Sequence, residues 1–294
     1  MEQDPRPNPA SVLAGLADTF AEAVATVDAG GAQVAYRSGG DQGPVVLLLH
    51  GISSGAASWL PCASLLAAHA RVIAWDAPGY GASSPLAGKA PRAADYAVRL
   101  QGLVRALDLR PTVIVGHSLG ALMAAAYLAQ AEPDRRPARV LLASPAQGYG
   151  AAGKEQKAAE VARQRMEALT TLGVAGLAER GPARLLSPNA DAGAREWVRW
   201  NMSRLNPDGY RQAVTMLCGD DIDAYLARRP DGVPVEIGCG TLDVVTPPIG
   251  AEALAQRFAL PFTPIPDAGH ACYIEQAAPV ARWIRAALDQ RPAR

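Results

Sequence analysis

Segments with strand-like and helix-like hydrophobic patterns alternate along most of the chain. Seven short segments have strand patterns, several of them continuously apolar, as in strands buried on both faces of a parallel sheet. These segments are 33–37, 45–50, 71–76, 112–117, 138–145, 233–239 and 262–267. Apolar residues recur with helical spacing in other stretches, at 57–70, 93–107, 121–131, 251–258 and 278–290. This order predicts an α/β fold in which helices cover both faces of a mostly parallel sheet.

Two regions depart from this alternation. Residues 146–229 show only helical patterns and fall between two predicted strands, so we interpret them as a helical cap above the carboxyl ends of the strands. Residues 11–27 also show helical spacing, and we predict an N-terminal extension with a helix over 1–30. The α/β core is then formed by 31–145 and 230–294.

Composition narrows the classes of partner. The 294 residues are 49% hydrophobic and carry no net charge, which argues against nucleic acid or an anionic membrane as a partner. No apolar run reaches about 18 residues, and the start lacks the pattern of a secretory signal. The four cysteines are far apart and form no CxxC pair, which argues against zinc and for reduced thiols. We expect a cytoplasmic protein, a monomer or a homodimer, that acts on a small molecule.

The stretch VIVGHSLGALMAAA, residues 113–126, places a serine on a sharp turn between a buried strand and a helix. Such a turn exposes the hydroxyl of Ser118 beside the free N–H groups and the positive dipole end of the helix. Gly116 and Gly120 lack the Cβ atoms that would keep strand and helix apart. The G-x-S-x-G pattern therefore predicts a nucleophile at Ser118, although a chance match is the alternative in a chain with 28 glycines.

A serine hydroxyl needs a base, and His270 is the best candidate among the four histidines. It follows the last predicted strand, in a loop that can reach over the sheet. We expect packing, loop-holding or surface roles for the other three, which are His50, His69 and His117.

An acid must orient the imidazole, and Asp243 is the expected one because its loop directly follows a predicted strand. Asp267, three residues before His270, is a rival. Further rivals lie within the predicted cap, at Asp220, Asp221 and Asp223.

Two backbone N–H groups are candidates for holding an oxyanion. One belongs to Leu119, directly after the serine, and the other to Ile52, in the loop after the first buried strand. The glycine-proline turn at 76–84 is interpreted as a structural crossover.

Five motifs together resemble the α/β-hydrolase superfamily, in its serine-nucleophile branch. They are 50–51, 76–81, 116–120, 240–243, and 269–270 followed by Glu275. The resemblance covers nearly the whole chain after about residue 30. It implies an eight-stranded, mostly parallel sheet under a helical cap, with no metal and no organic cofactor.

The sequences GHSLG and GHACYIEQ look closest to 3-oxoadipate enol-lactonases and small carboxylesterases. This resemblance implies cleavage of an ester or (enol-)lactone through an acyl-enzyme, as in several enzymes of aromatic-compound breakdown. The loop at 50–59 is also similar to hydrolases that cut C–C bonds in meta-ring-cleavage products. Those enzymes usually carry Asn and Trp where this chain has Pro61 and Ala271. A non-catalytic small-molecule binding protein on the same fold is the remaining alternative.

We expect residues of the cap and the adjoining loops to line the substrate pocket, although core packing is the more common role for each. The candidates are Trp59, His117, Met166, Leu169, Trp197, Trp200, Met202, Met216, Val244 and Ala271. Three cap arginines are candidates for meeting a substrate carboxylate, although a surface position is more common for each, and they are Arg195, Arg199 and Arg204.

Overall fold

An eight-stranded sheet forms the centre of the protein in a computed structural model that describes residues 11, 15–16 and 19–289. The strands are β1 (Ala21–Thr26), β2 (Gln33–Gly39), β3 (Val45–Leu49), β4 (Arg71–Trp75), β5 (Pro111–His117), β6 (Arg139–Ala143), β7 (Val235–Gly240) and β8 (Phe262–Ile265). Their order across the sheet is β1-β2-β4-β3-β5-β6-β7-β8. β2 is antiparallel to both of its neighbours, and every pair from β4 to β8 is parallel. The predicted α/β fold with a mostly parallel, eight-stranded sheet is confirmed.

Helices connect the parallel strands. They are α1 (Leu60–Leu66), α2 (Ala93–Ala106), α3 (Leu119–Gln130), α4 (Glu155–Leu185), α5 (Ala192–Met202), α6 (Pro207–Gly219), α7 (Ile222–Leu226), α8 (Pro248–Arg257), α9 (Cys272–Glu275) and α10 (Ala277–Asp289). Short 3₁₀ turns lie at Ala56–Trp59 and Pro133–Arg135. The described helices include none with the length and apolar character of a membrane span.

The core is built around the central strands. Continuous runs of apolar residues in β3, β5 and β6 are buried on both faces, because helices pack against each side of the sheet. The helix α3 is also apolar on nearly its whole surface and is buried against the sheet. These elements hold the turn between β5 and α3 rigidly at the carboxyl edge of the sheet.

The helix predicted over 11–27 is wrong for its second half, because Ala21–Thr26 is the edge strand β1. It pairs with β2 through a turn in which Gly31 has a positive φ of 79° and Asp28 accepts the N–H of Ala32 at 3.0 Å. An alanine-rich segment has apolar residues at both helical and alternating spacing, so pairing with β2 decides its structure. Residues 11, 15 and 16 are helical, and the other positions before Thr19 lie outside the described residues.

Between β6 and β7 the chain forms the four helices α4 to α7 and no strand. The long helix α4 is broken at Gly173, whose φ of 62° and ψ of −177° are not helical. Its carboxyl end reaches the loop after β8, since the N–H of Ala271 donates to the carbonyl of Leu185 at 2.8 Å. This segment therefore covers the carboxyl edge of the sheet.

Candidate active site

Ser118 lies on the turn between β5 and α3 with an unusual backbone, φ 52° and ψ −115°. An added Cβ at Gly116 would collide with the carbonyl of Gly120, and one at Gly120 with the carbonyl of Leu49. Glycine at these two positions therefore permits the close approach of strand and helix. A positive φ at a non-glycine residue costs about 1–3 kcal/mol. The packed surroundings hold Ser118 in this conformation, with its N–H bonded to the carbonyl of Ala143 at 2.9 Å.

His270 and Asp243 are brought together from the loops after β8 and β7. The Nδ1 atom of His270 lies 2.9 Å from Oδ2 of Asp243, and both side chains are buried. An ionised carboxylate only accepts hydrogen bonds, so Nδ1 carries the proton and Nε2 is left as an acceptor. His270 and Ser118 line the same cavity.

Four hydrogen bonds from nitrogen and oxygen donors hold the carboxylate of Asp243, and the Cys239 thiol donates a fifth, longer one to its Oδ2 at 3.8 Å. Its Oδ1 accepts the N–H groups of Val245 and Thr246 at 2.8 and 2.9 Å, and its Oδ2 accepts the Thr246 hydroxyl at 2.9 Å beside the bond from His270. Burial alone would raise the pKa of Asp243, but His270 and Thr246 outweigh it and lower the pKa to about 2. The group is therefore ionised at neutral pH and can stabilise an imidazolium.

The rival acids lie elsewhere. Asp220 is buried and accepts the Ala93 N–H and the Tyr225 hydroxyl, which gives it a structural role. Asp267 is exposed. In the described part of the chain, the carboxylate that hydrogen-bonds to His270 is that of Asp243.

His117 holds the backbone of His270. Its Nε2 donates to the His270 carbonyl at 2.8 Å, and burial lowers the pKa of His117 to about 3, so the ring is neutral. No hydrogen bond joins Ser118 Oγ to the His270 ring among the described residues. Such bonds are often long in unliganded enzymes and tighten when substrate binds.

The backbone N–H groups of Ile52 and Leu119 are free of hydrogen-bond partners within the described residues. Both residues border a cavity with Ser118. Gly51 passes directly over the serine, since a Cβ there would come within 3.0 Å of Ser118 Cβ. Two unpaired donors therefore flank the serine, as an oxyanion site requires.

Two adjoining cavities of about 310 and 560 Å³ meet at Ser118. Both lie between the sheet's carboxyl edge and the cap, and the first is mostly apolar, with volumes in the range of small-molecule sites. Of the predicted lining residues, His117, Met202 and Ala271 border the first cavity. The structure adds residues that the sequence did not single out, notably Tyr210, Tyr273 and the α4 arginines Arg165, Arg180 and Arg184.

The other predicted lining residues border neither cavity. They are Trp59, Met166, Leu169, Trp197, Trp200, Met216 and Val244. Trp59 lies one layer deeper, where it is fully buried and stacks on Tyr273 with ring centroids 4.0 Å apart. Trp197 joins cap to core by donating its ring N–H to the Ser58 carbonyl at 3.3 Å.

Most of the remaining predicted lining residues pack within the cap or against the core. Trp200 stacks on Trp197 and borders a separate cavity, while Met216 is completely buried. Met166 and Leu169 pack against the apolar core. Val244 points away from the site and is 72% exposed. The hydrophobicity of cap residues does not distinguish packing inside the cap from lining the cavity.

Glu275 ties the His270 loop to the cap, a contact that the sequence did not predict. Its carboxylate accepts the N–H groups of Gly269 and Ser187 at 2.9 and 3.0 Å, and the Ser187 hydroxyl. Gly269 directly precedes His270, so this carboxylate holds both the His270 loop and the segment after α4 in place.

The turn at 76–84 braces the loop that carries Ile52, in line with its interpretation as a structural crossover. His50 donates through Nδ1 to the Gly51 carbonyl at 2.8 Å and accepts the Ala77 N–H on Nε2 at 3.0 Å. Asp76 accepts the N–H of Ala56 at 2.8 Å. Burial lowers the pKa of His50 to about 4, so the ring is neutral in both bonds.

A pH dependence follows from Asp76. Burial raises the pKa of this carboxyl from 3.8 to about 6. Between about pH 4 and pH 6 the folded state holds a proton that the unfolded state has lost, so this group lowers the free energy of unfolding as pH rises. The loss is complete above pH 6 and amounts to about 3 kcal/mol. We expect Asp76→Asn, whose amide oxygen can still accept the Ala56 N–H, to gain stability over the wild type across this window.

Urea unfolding of both proteins from pH 4 to pH 7.5 measures this difference. If the free energies of unfolding of the two proteins differ by the same amount at every pH, the raised pKa of Asp76 is contradicted.

Groups of residues that could bind a metal are absent from the described residues, and all four cysteines are free thiols.

Comparison with known proteins agrees with this architecture. The model of the alpha/beta hydrolase family matches residues 46–283. A curated relative, 2-hydroxy-6-oxononadienedioate/2-hydroxy-6-oxononatrienedioate hydrolase 2 of Pseudomonas putida, is 36% identical over 114 residues, which are 37% of this chain and 40% of that protein. This aligned segment spans well under two thirds of the relative's length.

Two solved structures extend the likeness over the whole fold. The esterase from Thermogutta terrifontis has a TM-score of 0.74 at 26% identity, covering 90% of this chain and 97% of the other. The enol-lactonase from Burkholderia xenovorans LB400 has a TM-score of 0.77 at 24% identity, covering 91% and 100%. With its fold, its strained serine turn and the family match over most of its length, this chain belongs to the alpha/beta hydrolase family.

Proposed function

We propose that the protein is a serine hydrolase that cleaves a carboxylic ester or lactone through an acyl-enzyme. Ser118 is the nucleophile and His270 is the general base. Asp243 is the carboxylate that orients the His270 ring and stabilises its protonated form. One observation carries the proposal: the hydrogen bond from His270 Nδ1 to Asp243 leaves Nε2 free as an acceptor in the cavity that Ser118 lines.

The first half-reaction forms the acyl-enzyme. As Ser118 Oγ bonds to the substrate carbonyl carbon, Nε2 of His270 takes its proton and the carbonyl π electrons move to oxygen. The N–H groups of Ile52 and Leu119 hold this oxyanion, and each is worth about 3 kcal/mol of the barrier. Collapse breaks the bond to the leaving oxygen, which receives the proton from His270.

Water completes the cycle. His270 takes a proton from the water molecule as it attacks the acyl carbon, and the second tetrahedral intermediate expels Ser118 Oγ, which regains the proton. A free acid and a free alcohol result from an ester, and a lactone yields both groups on one molecule.

Likeness to the Thermogutta terrifontis esterase, at 26% identity, supports ester hydrolysis. Similarity to the Pseudomonas putida hydrolase supports a second candidate, hydrolysis of a C–C bond in a ring-cleavage product. We favour the ester or lactone because Pro61 and Ala271 stand where C–C hydrolases usually carry Asn and Trp.

Labelling with a fluorophosphonate tests the proposal without assuming a substrate. We expect one covalent adduct, mapped to Ser118 by mass spectrometry, in a preparation that also hydrolyses p-nitrophenyl butyrate. Heat-denatured protein is the control and should not react. An adduct on another residue would contradict the assignment of the nucleophile.

A coloured dienoate ring-cleavage product separates the two candidate reactions. Rapid bleaching of its absorbance, with only slow ester turnover, would favour C–C hydrolysis. A protein that neither labels nor turns over any ester, lactone or dienoate would instead be a binding protein on this fold.

A further inference from the structure

Two arginines of α4 lie on the wall that separates the two cavities at Ser118. Arg165 and Arg184 border both cavities, and Ser118 and Tyr210 border both as well. Arg165 is half-buried and donates to the Tyr210 hydroxyl at 3.2 Å, which fixes its position. Arg184 lies in the second segment of α4, after the break at Gly173, and is exposed. Residues from both segments of the broken helix thus border the same two cavities.

Neither guanidinium has an acidic partner in the described part of the chain, unlike that of Arg163 on the same helix, which pairs with Glu167. The residues that border the two cavities include Arg180 and Lys154 but neither aspartate nor glutamate. Partial burial first, and then repulsion by the charge of Arg165, lower the pKa of Arg184. An anion between them would relieve this repulsion.

The three cap arginines that the sequence analysis named as candidates interact with other groups. Arg199 forms ion pairs with Glu179 and Glu196. Arg195 donates to the carbonyls of Ala190 and Pro188, and Arg204 lies over the ring of Trp200 at 3.9 Å from its centroid. Among the arginines that border the serine's cavities, Arg165 and Arg184 border both, whereas Arg180 borders only the first.

We propose that Arg165 and Arg184 form a subsite for a substrate carboxylate, so that the preferred substrates are anionic esters or lactones, such as half-esters of dicarboxylic acids. The planar guanidinium fork matches a carboxylate and gives charge-assisted hydrogen bonds. Apolar walls of the first cavity hold the carbon chain between this carboxylate and the scissile carbonyl. The inference rests on the proposed hydrolase function and names its substrate class.

Matched ester pairs test the subsite. The first pair compares mono-p-nitrophenyl glutarate with p-nitrophenyl valerate, which differ by a carboxylate at the end of the acyl chain. The second pair compares the butyrate esters of 4-hydroxybenzoate and 4-hydroxybenzamide, which differ by a carboxylate on the leaving group. We expect kcat/KM to favour the anionic member of at least one pair by about ten-fold or more, chiefly through KM, and this preference to shrink with added salt.

Arg184→Gln should remove about ten-fold of kcat/KM for the favoured anionic ester and leave its neutral counterpart within about two-fold. Arg184→Lys should recover part of the loss, since it restores the charge without the fork. The control is Arg163→Gln, because Arg163 lies on the same helix but pairs with Glu167 at 2.8 Å and borders neither cavity. Equal losses on charged and neutral esters would overturn the subsite.

Calorimetry separates failure of the subsite from failure of the proposed reaction. Glutarate is titrated into Ser118→Ala protein and into the same protein with Arg184→Gln, with glutaramide as the uncharged probe. Binding of glutarate that is lost with Arg184→Gln supports the subsite even if Ser118 is not the nucleophile. No binding of glutarate, together with no preference in either ester pair, overturns it.

Discussion

Ser118→Ala should lose ester hydrolysis almost completely, with kcat lower by roughly a million-fold. Without the hydroxyl no acyl-enzyme can form, and only the oxyanion donors and substrate binding remain to promote attack by water. The measurement is the hydrolysis of p-nitrophenyl butyrate, corrected for the spontaneous rate. Retention of more than about a hundredth of the wild-type kcat would place the nucleophile elsewhere, since no other part of the proposed cycle replaces a covalent step.

Two further variants make this result specific. Ser203→Ala removes a cap hydroxyl that donates to the Trp200 carbonyl, and it should keep full activity. Ser118→Gly should be as inactive as Ser118→Ala but more stable than it by about 1 kcal/mol, because glycine relieves the strain at φ 52° despite its greater entropy when unfolded. Equal stability of the two variants would mean that the turn stores no strain at this residue.

Asp243→Asn should lower kcat by about a thousand- to ten-thousand-fold while the fold remains intact. Oδ1 accepts two backbone N–H groups, so the oxygen of an asparagine must take that place and its NH₂ must face His270. This NH₂ can only donate, which forces the imidazole to accept on Nδ1 and to carry its proton on Nε2. The ring then cannot take the proton of Ser118, and this wrong tautomer is the reason for the loss.

The pH–rate profile distinguishes this explanation from simple unfolding. Asp243→Asn should recover activity at high pH, where hydroxide replaces the missing base, and its circular dichroism should match the wild type. Asp267→Asn is the matched control, since Asp267 is exposed and three residues from His270, and it should leave kcat unchanged. A full-activity Asp243→Asn enzyme would refute the assigned acid.

Strong local signals made the core predictable. The segments 45–49, 113–116 and 140–143, within β3, β5 and β6, are apolar without interruption, and few structures other than a strand buried on both faces accommodate such runs. The serine turn was also visible, because Gly116 and Gly120 stand two residues to either side of Ser118, although the contact that requires Gly120 is with the distant carbonyl of Leu49. The loops of Asp243 and His270 were predictable as the segments that follow β7 and β8, since the ends of parallel strands meet at one edge.

The sequence-based predictions failed where the local pattern is weak or ambiguous and tertiary packing decides the structure. β1 was predicted as a helix because its alanines suit either structure, and only β2 beside it selects the strand. The cavity walls were mostly missed, since an apolar residue on a cap helix can be buried in packing, as Met216 is, or border the cavity, as Met202 does. Arg163 pairs with a glutamate one turn away, whereas Arg165 and Arg184 have no acidic residue at that spacing. The pattern along α4 does not show that these two side chains border the cavities.

By itself the sequence determined the alternating α/β architecture, the serine turn and the three residues proposed as catalytic, because each is marked by a pattern of residues close together along the chain. Only the tertiary structure decided the edge strand, the hold of Glu275 on the His270 loop, and the position of Arg165 and Arg184 beside the same two cavities. These features arise where segments distant in sequence share a surface, and side-chain burial and pairing there are set by neighbours that no local pattern encodes.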